Sequence, residues 1–172
     1  MTVEPKPFGR RRALKGLAAL GAASLFPVAG AAAPALHRKP IPGTTVTLPA
    51  LGMGTWITFN VPPLSAARRE RVDVLRAFFA AGGQLVDSSP MYGLAEAVVG
   101  HCLERLDAPP LFAATKVWTP TRLAGVAQMK LSQSLWGVER FDLMQVHNMV
   151  DWESHLDTLR EWREAGRLRF LG

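Results

Sequence analysis

Four residues of types that transfer protons stand at regular places in this sequence. Asp87, Lys116 and His147 each follow directly on a short apolar run, and Tyr92, the only tyrosine of the chain, lies in the turn after the first of them. A carboxylate, a phenol, an amine and an imidazole gathered in one place would form a site for proton transfer. Whether they gather depends on the elements that carry them.

Stretches with helical spacing separate the apolar runs, and this alternation is typical of a parallel β/α protein. In a parallel barrel the carboxyl ends of the strands converge on one face, where the chemistry is done. The four residues are therefore predicted to meet on that face. The predicted strands are 51–56, 84–88, 111–117, 141–146 and 168–171, and the predicted helices are 65–81, 93–106, 121–135 and 154–165.

Several finer expectations concern packing. Residues 44–51 are β-branched and apolar, and are predicted to form a short ribbon that closes the floor of the barrel. Cys102, the only cysteine, rules out an internal disulfide and is expected to be a small buried apolar side chain. In helix 65–81 the inward face is predicted from Val72, Leu75 and Phe79. In helix 121–135 it is predicted from Leu123, Val126, Ala127, Leu131 and Leu135.

The amino-terminal segment carries most of the positive charge. Residues 1–33 hold a net +4 of the total +6, so the remainder is too weakly basic to predict a nucleic-acid partner. Arg10-Arg11-Arg12 followed by a run rich in Ala, Gly and Leu predicts a signal peptide over 1–33. It resembles the twin-arginine type, which implies the twin-arginine export machinery as a partner and a bacterial periplasmic location. Residues 34–43 are predicted to be a linker; a membrane anchor at 16–33 is the alternative.

Five segments, in order along the chain, resemble the aldo-keto reductases. They are Leu51-Gly52-Met53-Gly54-Thr55-Trp56, Asp87-Ser88-Ser89-Pro90-Met91-Tyr92-Gly93, Thr115-Lys116-Val117-Trp118, Asp142-Leu143-Met144-Gln145-Val146-His147-Asn148 and Gly166-Arg167-Leu168-Arg169-Phe170-Leu171-Gly172. The likeness runs over 44–172 and implies an α/β (β/α)8 barrel. A full barrel takes about 250 residues, so this chain is expected to hold the first four β/α units and the start of strand five. The resemblance further implies reversible hydride transfer between NADPH, or NADH, and the carbonyl of a small aldehyde or ketone.

The resemblance also implies roles for single residues. Tyr92 matches the proton donor, Lys116 and Asp87 the groups that tune it, and His147 the residue that orients the carbonyl. The physical account agrees, because a free phenol is a weak acid near neutral pH and a nearby ammonium stabilises its phenolate. Positions that match cofactor contacts are Thr55, Trp56, Asp87 and Asn148, and those that match the substrate pocket are Trp56 and Trp118.

Two other interpretations remain open on the sequence. One is a catalytically silent half barrel that serves as an interaction module. The other is a Schiff-base lyase that uses Lys116, since barrel enzymes also place lysines at strand ends. Ser88-Ser89 does not form a nucleophile elbow. No metal site is predicted, because no shared ligand spacing relates His101, Cys102, His147 and His155.

Overall fold

A computed structural model of the protein describes residues 36–107 and 109–172. The predicted signal peptide over 1–33, and with it the alternative of a membrane anchor, lies outside the described residues. Among those that are described, no helix is both long enough and apolar enough to cross a membrane.

The described part begins with a small antiparallel hairpin. Strand β1 (Arg38–Pro40) pairs with β2 (Thr47–Pro49), so β1 falls within the segment predicted as a linker. The Arg38 guanidinium donates to Gln84 Oε1 at 2.9 Å. Because Gln84 directly precedes the parallel strand that begins at Leu85, the hairpin lies at the amino-terminal end of the sheet, where the sequence predicts a closing ribbon.

A five-stranded parallel sheet follows, and its spatial order is the order of the chain. Each strand but the last leads through a helix to its neighbour in the sheet, which confirms the predicted parallel β/α arrangement. The strands are β3 (Met53–Gly54), β4 (Leu85–Asp87), β5 (Phe112–Val117), β6 (Phe141–Val146) and β7 (Leu168–Leu171). The helices are α1 (Ala66–Ala80), α2 (Ala95–Leu103), α3 (Arg122–Trp136) and α4 (Trp152–Glu164).

The core lies between this sheet and the helices. Strand β5 is buried along almost its whole length, as expected for a parallel strand covered on both faces. Helix α1 begins after Ser65, whose hydroxyl accepts a hydrogen bond from the Arg68 N–H at 3.1 Å. The inward face of α1 is formed by Val72, Leu75 and Phe79, which confirms the prediction for this helix.

Helix α3 packs mainly with a different face from the one predicted: Val126 packs against the core, but the leucines of the predicted stripe are exposed. Leu123 and Leu131 are 82% and 58% exposed. The buried residues of α3 are Gly125, Met129, Ser132 and Trp136. Small residues let neighbouring elements approach closely: a Cβ on Gly125 would lie 2.3 Å from the His155 ring of α4. The narrow gap between α3 and its neighbours determines which face of α3 is buried, and the hydrophobic pattern does not reveal that gap.

Candidate active site

Asp87 and Lys116 form an ion pair at the carboxyl ends of two adjacent strands. Lys116 Nζ donates to Asp87 Oδ1 at 2.8 Å and to Oδ2 at 2.7 Å. Its third bond goes to the Ser88 carbonyl oxygen at 2.8 Å, so all three ammonium protons have acceptors. The Lys116 side chain is 12% exposed and that of Asp87 is 30% exposed. The pair is largely shielded from water, yet the carboxylate still reaches the open face.

Tyr92 is brought beside this pair by a single 3-10 turn, Pro90–Tyr92. Ser89 begins the turn, and its hydroxyl accepts a hydrogen bond from the Met91 N–H at 3.2 Å. Lys116 Nζ lies 5.3 Å from the centre of the Tyr92 ring, within the range of a cation–π contact. Since the ammonium protons go to Asp87 and Ser88, the lysine charge acts on the phenol through space.

His147 completes the group from the end of β6. Its ring meets the Tyr92 ring edge-on, with the centroids 5.6 Å apart. Its Nδ1 lies 2.7 Å from the Ser89 hydroxyl oxygen. Burial lowers the pKa of His147, the charge of Lys116 lowers it further, and Asp87 partly opposes both effects. The imidazole is therefore neutral near pH 7. The structure thus brings together all four residues that the sequence singles out.

The other predicted site residues surround this group in different ways. Trp56 is 64% exposed, and its ring centroid lies 6.5 Å from that of Tyr92. Thr55 is fully buried, and its hydroxyl donates to the Asp87 carbonyl oxygen at 2.9 Å, so this side chain holds the backbone of Asp87. Asn148 is exposed, and its amide nitrogen lies 3.8 Å from the Met91 sulfur.

Trp118 follows two residues after Lys116, and no ring contact joins it to Tyr92 or Trp56 in the described part of the chain. Gln128 of α3 fixes its backbone: the side-chain oxygen accepts from the Trp118 N–H at 2.6 Å, and the amide donates to its carbonyl at 2.9 Å. The Trp118 side chain is 38% exposed.

Ser89 is a site residue that sequence reasoning missed. Ser88-Ser89 lies in one of the segments that carry the family resemblance, but the sequence assigns Ser89 no role and excludes only a nucleophile elbow. The available signal was a second polar residue between a strand-end aspartate and the turn that carries Tyr92. Its link to His147 joins positions 58 apart, so local patterns do not reveal it.

Glu96 of α2 was also missed, and it supports the site from behind the sheet. The carboxylate is almost fully buried and accepts hydrogen bonds from Thr115 at 2.6 Å, Ser132 at 2.8 Å and the Trp136 indole at 3.2 Å. Burial raises the pKa of Glu96, and the three donors and Lys116 oppose that rise. Because Thr115 precedes Lys116 on β5, this network fixes the strand that presents the lysine.

Cys102 and His155, both outside the site, are buried in the core. Cys102 is fully buried, as predicted, and burial raises the pKa of its thiol to about 11. His155 is buried, and its Nε2 lies 2.7 Å from the Thr119 carbonyl oxygen. Over residues 36–107 and 109–172, no three side chains of His, Cys, Asp or Glu lie close enough together to hold a metal ion.

The Aldo/keto reductase family profile matches residues 50–172. The chain belongs to the aldo/keto reductase family. A search of curated protein sequences finds no significant match to this aldo/keto reductase chain.

Solved structures of aldo/keto reductases share its fold. The thermostable aldo-keto reductase Tm1743, crystallised with the inhibitor epalrestat, superposes with a TM-score of 0.70 at 23% identity, over 80% of this chain and 53% of its own. A Klebsiella pneumoniae aldo/keto reductase in complex with NADP and acetate superposes with a TM-score of 0.61 at 23% identity, over 73% of this chain and 45% of its own. The Gluconobacter oxydans glycerol dehydrogenase superposes with a TM-score of 0.64 at 23% identity, over 78% of this chain and 47% of its own.

These likenesses confirm the predicted partial (β/α)8 barrel of aldo-keto reductase type. The chain spans about half the length of the solved structures that it matches.

Proposed function

We propose that this aldo/keto reductase reduces a small aldehyde or ketone to an alcohol, with NADPH or NADH as the hydride source and Tyr92 as the proton donor. The observation that carries the proposal is the position of Lys116. Its ammonium is bound to both carboxylate oxygens of Asp87 and lies 5.3 Å from the Tyr92 ring centre. A phenol beside a fixed cation is suited to release a proton, because the cation stabilises the phenolate that remains.

The four side chains then divide the work on the carbonyl oxygen. Tyr92 donates its hydroxyl proton to that oxygen as negative charge develops there, and Lys116 stabilises the phenolate. Asp87 holds Lys116 in its charged form and in one orientation. His147 lies edge-on to Tyr92 and is proposed to donate a hydrogen bond to the same oxygen. Two donors aimed at a developing oxyanion act most strongly in a site shielded from water.

The chemistry of the four side chains also indicates what the chain must bind. A phenol, an ammonium, a carboxylate and an imidazole move protons, but none of them supplies a hydride. A reduced nicotinamide, when bound, supplies it. Trp56, near the Tyr92 ring, and Asn148, next to Met91, are exposed and are the proposed contacts for that cofactor. Thr55 would act through the Asp87 backbone. The K. pneumoniae relative crystallised with NADP belongs to the same family, which supports this assignment. Trp56 and Trp118 are the proposed walls of the substrate pocket.

A Schiff-base lyase is less well supported by the geometry. A nucleophilic lysine needs a free lone pair on its amine. Lys116 instead directs three N–H groups to Asp87 and to the Ser88 carbonyl oxygen. The silent interaction module draws some support from strands β3 and β7, which have one neighbour each among the described strands. The intact site favours the reductase.

Replacing Tyr92 with Phe tests the proposal. The ring and its packing are kept while the proton is removed. We expect NADPH oxidation with a panel of small aldehydes and ketones to fall by roughly 10²–10⁴-fold, with the melting temperature unchanged. Wild-type turnover in Tyr92→Phe would sink the assignment. A wild-type chain that melts cooperatively but neither binds nor oxidises NADPH would favour the interaction module. Trapping of a substrate on Lys116 by borohydride would favour the lyase.

We further propose that residues 1–33 direct export to the periplasm through the twin-arginine machinery. The support is the sequence alone: an arginine cluster at 10–12 ahead of a moderately apolar run. The test is fractionation of a bacterium that produces the full chain, beside a variant with Arg10, Arg11 and Arg12 all changed to Lys. The variant is expected in the cytoplasm. Equal amounts of both proteins in the periplasm would contradict this route.

A further inference from the structure

The Ser89 hydroxyl occupies a position between the two groups that act on the carbonyl oxygen. Ser89 is fully buried, and its Oγ lies 2.7 Å from His147 Nδ1. The same Oγ accepts a hydrogen bond from the Met91 N–H, inside the turn that carries Tyr92. One hydroxyl therefore touches both the turn of the proton donor and the ring of the orienting histidine.

The partners of the Ser89 hydroxyl decide whether it donates to His147 Nδ1 or accepts from it. A serine hydroxyl has one hydrogen to donate and two lone pairs. The Met91 N–H already uses one lone pair of Ser89 Oγ. Among the described residues, Oγ has one further hydrogen-bond partner, His147 Nδ1. If Nδ1 were the donor, the Ser89 hydrogen would be buried without an acceptor, which is costly. The hydroxyl therefore donates and Nδ1 accepts.

We infer that Ser89 is a positioning residue, which holds His147 in the tautomer with its hydrogen on Nε2 and so makes the imidazole a donor to the substrate carbonyl oxygen. The bond at one ring nitrogen decides which nitrogen carries the proton. This inference rests on the proposed reductase function only where the imidazole donates to the substrate carbonyl oxygen. The hold of Ser89 on the ring is independent of the reaction.

The charged neighbours of His147 act on its net charge rather than on its tautomer. Burial disfavours the imidazolium, Lys116 disfavours it further, and Asp87 favours it. A neutral ring has two tautomers, which differ in whether Nε2 donates or accepts. Tyr92 presents its ring to the imidazole and not a hydrogen-bonding group. The choice between the tautomers therefore falls to Ser89.

Nitrogen NMR of the chain labelled with nitrogen-15 histidine tests the inference directly. The chain has four histidines, and the His147 signals are those that vanish in His147→Gln. At neutral pH we expect hydrogen on Nε2 in the wild type and in Ser89→Thr, which keeps the hydroxyl and suits the extended backbone of Ser89 (φ −160°, ψ 147°). In Ser89→Ala the two tautomers should mix. Hydrogen on Nδ1 in the wild type, or an unchanged tautomer in Ser89→Ala, would overturn the inference.

Steady-state kinetics give a second readout. Ser89→Ala is expected to lower kcat for carbonyl reduction about tenfold, the equivalent of one hydrogen bond, with little change in KM, while Ser89→Thr keeps kcat. Equal kcat in the wild type and Ser89→Ala would contradict the catalytic part. A wild-type chain that reduces no carbonyl would count against the reductase function, and the NMR result would still decide the role of Ser89. Should Ser89→Ala fail to fold, the tautomers of the wild type and Ser89→Thr still decide it.

Discussion

Asp87 and Lys116 stand 29 positions apart in the sequence, yet both carboxylate oxygens of Asp87 bind the same ammonium, at 2.8 and 2.7 Å. The parallel register of β4 and β5 brings them together, since Asp87 pairs with Ala114 and Lys116 lies two residues further along the same strand. Residues two apart on a strand point to the same face. The pair is therefore both an electrostatic element of the site and a link between two strands.

Removing the charge of Lys116 should damage activity and stability together. Lys116→Met keeps most of the aliphatic stem but leaves the partly buried Asp87 carboxylate without its partner. We expect the free energy of unfolding to fall by roughly 2 kcal/mol and carbonyl reduction to fall by about 10²-fold or more. Urea unfolding and an NADPH assay measure the two effects. Lys130→Met, at an exposed position of α3, is the matched control and should change neither. Near-normal turnover in Lys116→Met would contradict the role of the cation.

The titration of His147 should follow the charge of Lys116. In the wild type its midpoint is expected below the ordinary value of 6.5, because burial and Lys116 both lower the pKa. In Lys116→Met the midpoint should rise, since one cause is gone and Asp87 still favours the imidazolium. Histidine NMR across the pH range measures both midpoints. The same midpoint in the two proteins would mean that Lys116 does not act on the ring.

The same pKa shift has a consequence for stability, with a definite sign. Between the lowered pKa and 6.5 the unfolded chain binds more protons at His147 than the folded chain does, so the stability from this residue is lost as the pH falls below 6.5. His147→Gln should weaken that dependence.

The contribution of Glu96 to stability should change with pH in the opposite direction to that of His147. The pKa of Glu96 is raised on folding, mainly by burial, so between the ordinary value of 4.5 and the raised value the folded chain holds a proton that the unfolded chain releases. Stability from this residue therefore falls as the pH rises through that window. Glu96→Gln removes the titration, and its stability relative to the wild type should improve from pH 4 to pH 7. A constant difference across that range in urea unfolding would contradict the prediction. Glu96→Ala should cost about 3 kcal/mol or more, because Thr115, Ser132 and Trp136 lose their acceptor.

Gly100 sets the spacing of α2 and α3. A Cβ at this position would lie 1.8 Å from the Leu135 carbonyl oxygen. Alanine in an open helix position stabilises relative to glycine by up to about 1 kcal/mol, but here the overlap should destabilise by about 1–3 kcal/mol. Thermal melts of Gly100→Ala measure this. Gly54→Ala is the control, since a Cβ there has no atom within 4 Å. Equal melting temperatures for the two variants would show that the helices shift apart at little cost.

The sequence predicts the site better than it predicts the helix packing. Polar residues at the ends of parallel strands must share one face, so the meeting of Asp87, Lys116 and His147 follows from the strand pattern. The inward face of α3 did not follow, because periodicity detects the leucines and not the narrow gap that admits Gly125 and Ser132. The roles of the site residues in catalysis stay predictions.

Side-chain hydrogen bonds between distant elements were beyond sequence reasoning for a related reason. Glu96 reads as an ordinary acidic residue in the first turn of a helix, where acidic residues are common. Its three donors come from β5 and α3, and only the folded structure orients them towards one carboxylate. The contact of Ser89 with His147 likewise depends on two side-chain directions that no spacing encodes.

The order of the parallel sheet also bears on how the chain acquires its fold during synthesis. Strands β3 to β7 are neighbours in space in the order in which the ribosome makes them. Each new strand can therefore pair with the one completed just before it, without waiting for a distant segment, and nearby pairings have small loop-closure costs. The Asp87–Lys116 pair can form once β5 has emerged, before β6 delivers His147. Asp87, Tyr92 and Lys116 are thus brought together first, and His147 is added to them.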